Sequence, residues 1–108
     1  IINFSSIAAT SAFSGDCIYS ASKAAIEVFS KSFAKELSGK AITVNCVAPG
    51  VMKTDMTKAL TDEQFEALIA KQIIQNSASF EDIFNSINFL LSSQSNMITG
   101  ESFHIGGV

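Results

Sequence analysis

Residues 41–48, AITVNCVA, restrict the possible folds more than any other part of this chain. Apolar and β-branched residues occupy both faces of this stretch, as expected for a parallel strand that is covered on two sides. Residues 1–6 begin with a second apolar run, IINF, and ESFHI near the carboxyl end predicts a third strand. Helical patterns separate these strands. The order strand, helix, strand, helices, strand indicates an α/β fold with a parallel sheet.

Three helices are predicted between the strands. The first runs from Tyr19 to about Leu37, where Gly39 is placed to end it in a left-handed cap. Its apolar stripe has spacings of three and four residues and consists of Ile26, Phe29, Phe33 and Leu37. The small, polar stretch AATSAFSGD before this helix is predicted to be a loop.

Capping-box signatures mark the starts of the other two helices. Thr61 followed by Gln64 predicts a helix over roughly 61–72. Ser79 followed by Asp82 predicts another, which continues to about residue 92 on a strong apolar stripe.

Composition excludes several classes of protein. The 108 residues are enough for at most one domain, and 47% of them are hydrophobic, including nine phenylalanines that suggest a well-filled interior. The net charge is −3, with seven lysines and no arginine, which argues against a nucleic-acid-binding protein. Cys17 and Cys46 form no disulfide framework or metal motif, so both are expected to be small buried residues and no metal site is expected. No signal peptide or membrane span is evident, and the expected location is cytoplasmic.

Three side chains between residues 6 and 23 suggest chemistry at a carbonyl group. Tyr19 and Lys23 are four residues apart, so a helix places them on one face. An ammonium beside a phenol stabilises the phenolate and makes Tyr19 a plausible proton donor and acceptor. Ser6 ends the first strand, where its hydroxyl can bind a substrate oxygen. The alternative is an ordinary solvated helix face, which a Tyr-x-x-x-Lys pair alone does not exclude.

The wider pattern resembles the short-chain dehydrogenase/reductase family. Ser6 lies thirteen residues before Tyr19, Tyr-x-x-x-Lys follows, and NCVAPGVMKT matches the family's Asn-x-Val-x-Pro-Gly-x-x-x-Thr segment. The resemblance implies that Ser6 anchors the substrate oxygen, Tyr19 is the general acid, and Lys23 tunes Tyr19 and binds the nicotinamide ribose. It also implies that the loop formed by Pro49, Gly50, Val51 and Thr54 holds the nicotinamide ring.

The resemblance also implies that this chain is part of a larger fold. Residues 1–108 match the C-terminal, catalytic half of a Rossmann-like doubly wound sheet, with about three strands and three helices. The glycine-rich turn that binds the dinucleotide pyrophosphate belongs to the family's N-terminal half, and no such cluster occurs in this sequence. A single partial domain is therefore expected, inactive when isolated. A non-catalytic assembly module is the alternative for this chain taken alone.

Two segments, VAPGVMKTDMTKALTDEQ and ITGESFHIGG, look most like the bacterial 3-oxoacyl-[acyl-carrier-protein] reductases of fatty-acid synthesis. That subgroup implies NADP(H) rather than NAD(H), a carrier-bound or small-molecule substrate, and a tetramer or dimer that pairs through the 22–37 helix. Lys40 matches a basic carrier-binding position. The subgroup's Pro-x-x-Arg segment is IIQNSAS here, so another small alcohol, ketone or sugar is the alternative substrate. Asn45 and His104 are expected to be structural.

Overall fold

The computed structural model describes residues 1–108, which form an α/β structure with a three-stranded parallel sheet. The strands are β1 (Ile2–Phe4), β2 (Asn45–Ala48) and β3 (Ser102–His104), and β2 lies in the centre. Both pairings are parallel. The predicted fold class and strand count are therefore confirmed.

Four α-helices connect the strands: α1 (Ala8–Ser11), α2 (Cys17–Glu36), α3 (Asp62–Ile69) and α4 (Phe80–Leu91). The predicted capping boxes begin α3 and α4, with Thr61 and Ser79 as the respective N-caps. None of these helices is both long enough and apolar enough to cross a membrane.

Helices α2 and α4 cover opposite faces of the sheet. The Cys46 thiol contacts the Ser30 hydroxyl of α2 at 3.1 Å, whereas Val47 packs with Ile83 and Leu90 of α4. Successive side chains of a strand point to opposite faces, so these two contacts place the helices on two sides of β2. The prediction of a central strand covered on both sides is confirmed, since all four residues of β2 are buried.

The structure differs from the predicted elements in several places. Strand β1 covers residues 2–4 of the predicted 1–6, and α3 ends at residue 69 instead of near residue 72. The AATSAFSGD stretch contains the short helix α1, so there are four helices and not three. Helix α2 begins at Cys17, two residues before Tyr19. Strand β2 is shorter than residues 41–48, because Ala41 has a φ of 55° and the N–H of Val44 bonds the Thr99 hydroxyl, not a neighbouring strand.

Two expectations about burial are wrong. Cys17 is exposed, because it lies in the first turn of α2 on the outer side, while Cys46 is buried as expected. The phenylalanines do not fill an interior: only Phe65 is buried, and Phe29, Phe80 and Phe84 are more than half exposed. With only three strands, the sheet supports two small core clusters, and the faces of its helices that point away from them stay open.

Candidate active site

The candidate site lies where the carboxyl ends of β1 and β2 meet. Ser5 and Ser6 follow β1, and the loop of residues 49–54 follows β2. Helix α2 leads back from this edge, so its first turns carry Tyr19 and Lys23 beside the same two loops. In open α/β sheets, ligands bind in the crevice outside the carboxyl ends of the strands. The fold therefore brings the three predicted catalytic residues to one edge of the sheet.

Lys23 joins α2 to the end of β1. Its Nζ donates a hydrogen bond to the Phe4 carbonyl at 3.2 Å, two residues before Ser6. The same Nζ lies 5.7 Å from the centre of the Tyr19 ring, within the range of a cation–π contact. Tyr19 is 37% exposed, so its phenol is accessible to a ligand. The Lys23 ammonium and the Tyr19 ring thus lie side by side at the end of β1.

Ser6, and not its neighbour Ser5, has a hydroxyl proton free for a ligand. The Ser6 Oγ accepts the Ala8 N–H at 3.2 Å, which fixes the hydroxyl while its own proton has no acceptor within the chain. Ser5 is buried, and its Oγ donates to Glu27 Oε1 at 2.7 Å. This geometry supports the choice of Ser6, which the spacing to Tyr19 also favours.

The loop after β2 is anchored to three different parts of the chain. The Pro49 carbonyl accepts the Ile7 N–H at 3.2 Å, which ties the loop to the start of α1. At Gly50 a Cβ would lie 2.5 Å from the Ile105 carbonyl, so only glycine fits there without movement. The Val51 N–H donates to Gln72 Oε1 at 2.5 Å, and the Val51 carbonyl accepts the Ala78 N–H at 3.0 Å.

These bonds change how Val51 can contribute to binding a nicotinamide. Both backbone polar groups of Val51 are used within the chain, so this residue anchors the loop. The N–H groups of Met52 and Lys53, the next two residues, donate no hydrogen bond within the chain. Beyond them, the N–H of Thr54 bonds the Thr57 hydroxyl at 2.9 Å and closes a short 3-10 turn.

The donors at this edge fit a nicotinamide riboside. An ammonium (Lys23), a phenol (Tyr19) and two unpaired backbone N–H groups (Met52 and Lys53) match the hydroxyl and carboxamide oxygens of such a group. Lys23, Tyr19 and the loop of residues 49–54 would hold the nicotinamide end, and the exposed part of the Thr54 side chain lies on the same loop. No residue of this chain forms a glycine-rich cradle for the pyrophosphate.

Sequence reasoning missed a polar cluster directly behind the site. Glu27 accepts from Ser5 and lies 3.4 Å from the His104 Nε2, although the angles at that nitrogen do not form a hydrogen bond. Glu27 is one helical turn after Lys23, so the four-residue spacing of Tyr19, Lys23 and Glu27 is a signal that could have identified it. His104 is therefore nearer to the site than its position in the last strand suggests.

Asn45 has the bracing role that the sequence predicts. This side chain is 1% exposed, donates to the Ile98 carbonyl at 2.9 Å and accepts the Glu101 N–H at 3.1 Å. Both partners lie in the turn that leads into β3. Asn45 therefore fixes β3 against β2.

Two clefts lie at opposite ends of the sheet. One, of about 1050 Å³, opens beside residues 53–58 and α3, and is lined by both charged and apolar side chains, among them Lys53, Met56 and Phe80. The other, of about 750 Å³, lies at the carboxyl end of α2 and contains none of the predicted site residues. Helix α2 extends about 26 Å from Tyr19 to its last residue, Glu36, and Lys40 follows it at that far end. Within one chain, Lys40 is thus remote from the entrance to the site.

The charged groups at this edge are not arranged as a metal centre. No group of three or more His, Cys, Asp and Glu side chains is placed to hold a metal ion.

A comparison with protein families identifies the chain. A family model described as "Enoyl-(Acyl carrier protein) reductase" matches residues 1–107. The chain belongs to the short-chain dehydrogenase/reductase family. It is 46% identical, over 107 residues, to "3-oxoacyl-[acyl-carrier-protein] reductase FabG" of Rickettsia bellii (strain RML369-C), and 40% identical to the protein of the same name from Escherichia coli (strain K12). Each alignment covers 99% of this chain and 44% of the relative, so the chain spans less than half the length of these curated relatives.

Solved structures of this family share the fold. A structure described as "4-hydroxyisoleucine dehydrogenase complexed with NADH" superimposes with a TM-score of 0.89 and 32% identity, covering 99% of this chain and 45% of that one. A "blue fluorescent protein from metagenomic library in complex with NADPH" gives 0.88 and 30%, covering 99% and 43%. These neighbours confirm the Rossmann-like fold class, and between them they bind both dinucleotides.

Proposed function

We propose that the intact protein reduces a 3-oxoacyl thioester on acyl carrier protein to the 3-hydroxyacyl form, with NADPH as the reductant. One observation carries this proposal: Lys23 holds the Tyr19 face of α2 against the end of β1, where Ser6 has a free hydroxyl proton. A proton donor, a cation and a hydrogen-bond donor at one edge of the sheet are what carbonyl reduction requires.

The dinucleotide, when bound, supplies a hydride to the carbonyl carbon. Ser6 donates a hydrogen bond to the substrate oxygen and so stabilises the negative charge that develops there. Tyr19 transfers its phenolic proton to that oxygen, which completes the hydroxyl group of the product. Lys23 stabilises the resulting tyrosinate, and solvent then restores its proton because Tyr19 is partly exposed.

Catalysis by these residues also needs a fixed frame. Ser5, buried beside Ser6, is bonded to Glu27, so the turn after β1 is held from behind. Pro49, Gly50, Val51 and Thr54 are proposed to form the nicotinamide loop, in which the free N–H groups of neighbouring residues face the ligand. The missing pyrophosphate cradle would come from the N-terminal half of the intact protein.

The substrate is supported by the names of the relatives and by the cleft beside residues 53–58. Its apolar side chains, including Met56 and Phe80, suit an acyl chain. We further propose a cytoplasmic homo-oligomer, tetrameric or dimeric. Three apolar side chains of α2, Ile18, Val28 and Phe29, are exposed and open to a second copy.

A second substrate class is favoured by one of the structural neighbours. The name 4-hydroxyisoleucine dehydrogenase specifies a small hydroxy compound, and that structure shares the fold over 99% of this chain. Oxidation of such an alcohol would use the same Tyr19 and Lys23 in reverse, with Tyr19 as the base.

Steady-state assays of the intact protein separate these possibilities. Three substrates would each be tested with NADPH and with NADH: acetoacetyl thioester, crotonyl thioester and a branched hydroxy amino acid. We expect the highest kcat/KM for acetoacetyl thioester with NADPH. Preference for the crotonyl thioester or the hydroxy acid would contradict the proposed substrate, and preference for NADH would contradict the proposed cofactor. Neither result would contradict the proposed catalytic residues.

A further inference from the structure

Gln72 is an unusual residue for its position. It follows α3, is 3% exposed, and has all of its side-chain hydrogen-bonding groups directed at backbone atoms. Its Oε1 accepts the Val51 N–H at 2.5 Å, and its Nε2 donates to the carbonyls of Ile74 at 3.1 Å and Asn76 at 2.8 Å. Both N–H donors of this buried amide and one lone pair of its oxygen are used within the chain, so no donor is left for a ligand.

Two glycines make room for this side chain. A Cβ added at Gly50 would collide with the Gln72 amide, and a Cβ at Gly106 would lie 3.2 Å from the Gln72 Oε1. Gly106 also has a φ of 93°, a backbone conformation that other residues rarely adopt. The Gln72 amide therefore fills a space that the chain keeps free on two sides.

The amide connects segments that are distant in sequence. Val51 belongs to the loop after β2, whereas Ile74 pairs with the carboxyl-terminal turn through the Gly106 carbonyl at 2.9 Å. Ala78 holds the carbonyl of Val51 from the other side. Both backbone groups of Val51 are thus fixed by the segment of residues 72–78, and Gln72 provides the contact to the N–H.

We propose that Gln72 is a positioning residue for the dinucleotide site, an inference that rests on the proposed function. By fixing the peptide group before Val51, it sets the direction of the chain at Met52 and Lys53, whose N–H groups have no partner within the protein. Without Gln72 the Val51 N–H would be buried and unpaired, and the loop would rotate to satisfy it. That rotation would misdirect the two free N–H groups.

The test uses the intact protein and equilibrium binding of NADPH and NADH. Gln72→Met removes all three hydrogen bonds at nearly constant volume, whereas Gln72→Glu keeps the acceptor for the Val51 N–H. Gln75→Met is the matched control, because Gln75 is an exposed glutamine on the same segment with one long contact of 3.5 Å. Each variant would be measured at the same interval below its own melting temperature.

We expect Gln72→Met to raise the dinucleotide Kd about tenfold or more, with the thioester KM within about twofold, since small misplacements at a binding loop have large effects. Gln75→Met should bind like the wild type, whereas Gln72→Glu, which sets a carboxylate oxygen against the carbonyls of Ile74 and Asn76, should also raise the Kd. A Kd within twofold of the wild type in folded Gln72→Met overturns the inference, as does an equal loss in Gln75→Met.

Further results distinguish a failure of the positioning role of Gln72 from a failure of the proposed function. If Gln72→Met does not fold, Gln72→Glu carries the test: a raised dinucleotide Kd with an unchanged thioester KM supports the positioning role, and equal changes in both overturn it. If the wild type neither binds dinucleotide nor reduces any carbonyl, the proposed function fails. If the wild type is active and only the Gln72 effect is missing, the positioning role alone fails.

Discussion

Gly50→Ala should damage catalysis by displacing the nicotinamide loop. The added Cβ would lie 2.5 Å from the Ile105 carbonyl, and Cβ contacts below 3.0 Å essentially do not occur in proteins. The loop must therefore move by about 0.5–0.9 Å, at a cost of about 1–3 kcal/mol typical of an overfilled site. The Gln72 amide oxygen, 2.3 Å from the added Cβ, could move away only by leaving the Val51 N–H, and the backbone carbonyl of Ile105 directly after β3 cannot yield easily.

The functional effect follows from that displacement. A shift approaching 1 Å can reduce the rate by about 10²-fold, so we expect kcat/KM for the dinucleotide to fall about 10- to 100-fold in the intact protein. Thermal unfolding should show a loss of about 2–4 °C for each kcal/mol. Both quantities would be measured on the purified variant.

Gly39→Ala is the control for a general loss of stability. Gly39 has a φ of 77°, and a Cβ added there would have no heavy atom within 4 Å, so alanine strains only the backbone, by about 1–2 kcal/mol. It lies at the far end of α2 from the site. We expect a lower melting temperature and normal kinetics. Unchanged kinetics in Gly50→Ala, or an equal kinetic loss in Gly39→Ala, would refute the reasoning.

Three further predictions concern stability and assembly of the intact protein. Hydrogen bonds from the Ser79 hydroxyl and backbone N–H lower the pKa of the Asp82 carboxyl below 3.8. The stability that the ionised carboxylate contributes should therefore be complete above about pH 5 and be lost as the pH falls through that lowered pKa. A carbon-13 titration that gives 3.8 or more for Asp82 would contradict this. Asn45→Leu leaves the Ile98 carbonyl and the Glu101 N–H unpaired, so denaturant unfolding should show a loss of about 2–4 kcal/mol in the free energy of unfolding. Asn88→Leu is the control: Asn88 is exposed on α4, away from these partners, and its replacement should have little effect. Phe29→Asp places a charge on the open face of α2 and should dissociate the oligomer in sedimentation experiments; an unchanged sedimentation profile would show that this face is not the interface.

Local signals predict the starts of α3 and α4 well, and they predict burial poorly. The capping boxes at Thr61 and Ser79 involve residues three positions apart, so the sequence alone contains both partners. Helix α1 escapes prediction because its small residues have no periodic pattern, and its formation depends on packing against α2. Phe80 and Phe84 do not lie in an interior, because hydrophobicity indicates only that a side chain favours burial, and not that a partner surface exists.

The same rule holds for the site. The four-residue spacing places Tyr19 and Lys23 on one helix face, whereas the position of Ser6 beside them is implied only by the resemblance to the family. Gln72 could not be predicted, since its partner Val51 is 21 residues away and no local pattern marks a buried amide. Contacts of that kind depend on how loops meet, which only the folded chain determines.

The most direct test of the catalytic assignment is the kinetics of Tyr19→Phe in the intact protein. The change keeps the ring and its packing but removes the only phenolic proton donor in the chain. We predict that kcat for acetoacetyl thioester falls about 10²–10⁴-fold, the usual contribution of a general acid, while the Kd for NADPH stays close to that of the wild type. Turnover near the wild-type rate in Tyr19→Phe would contradict the assignment of this edge of the sheet as the active site.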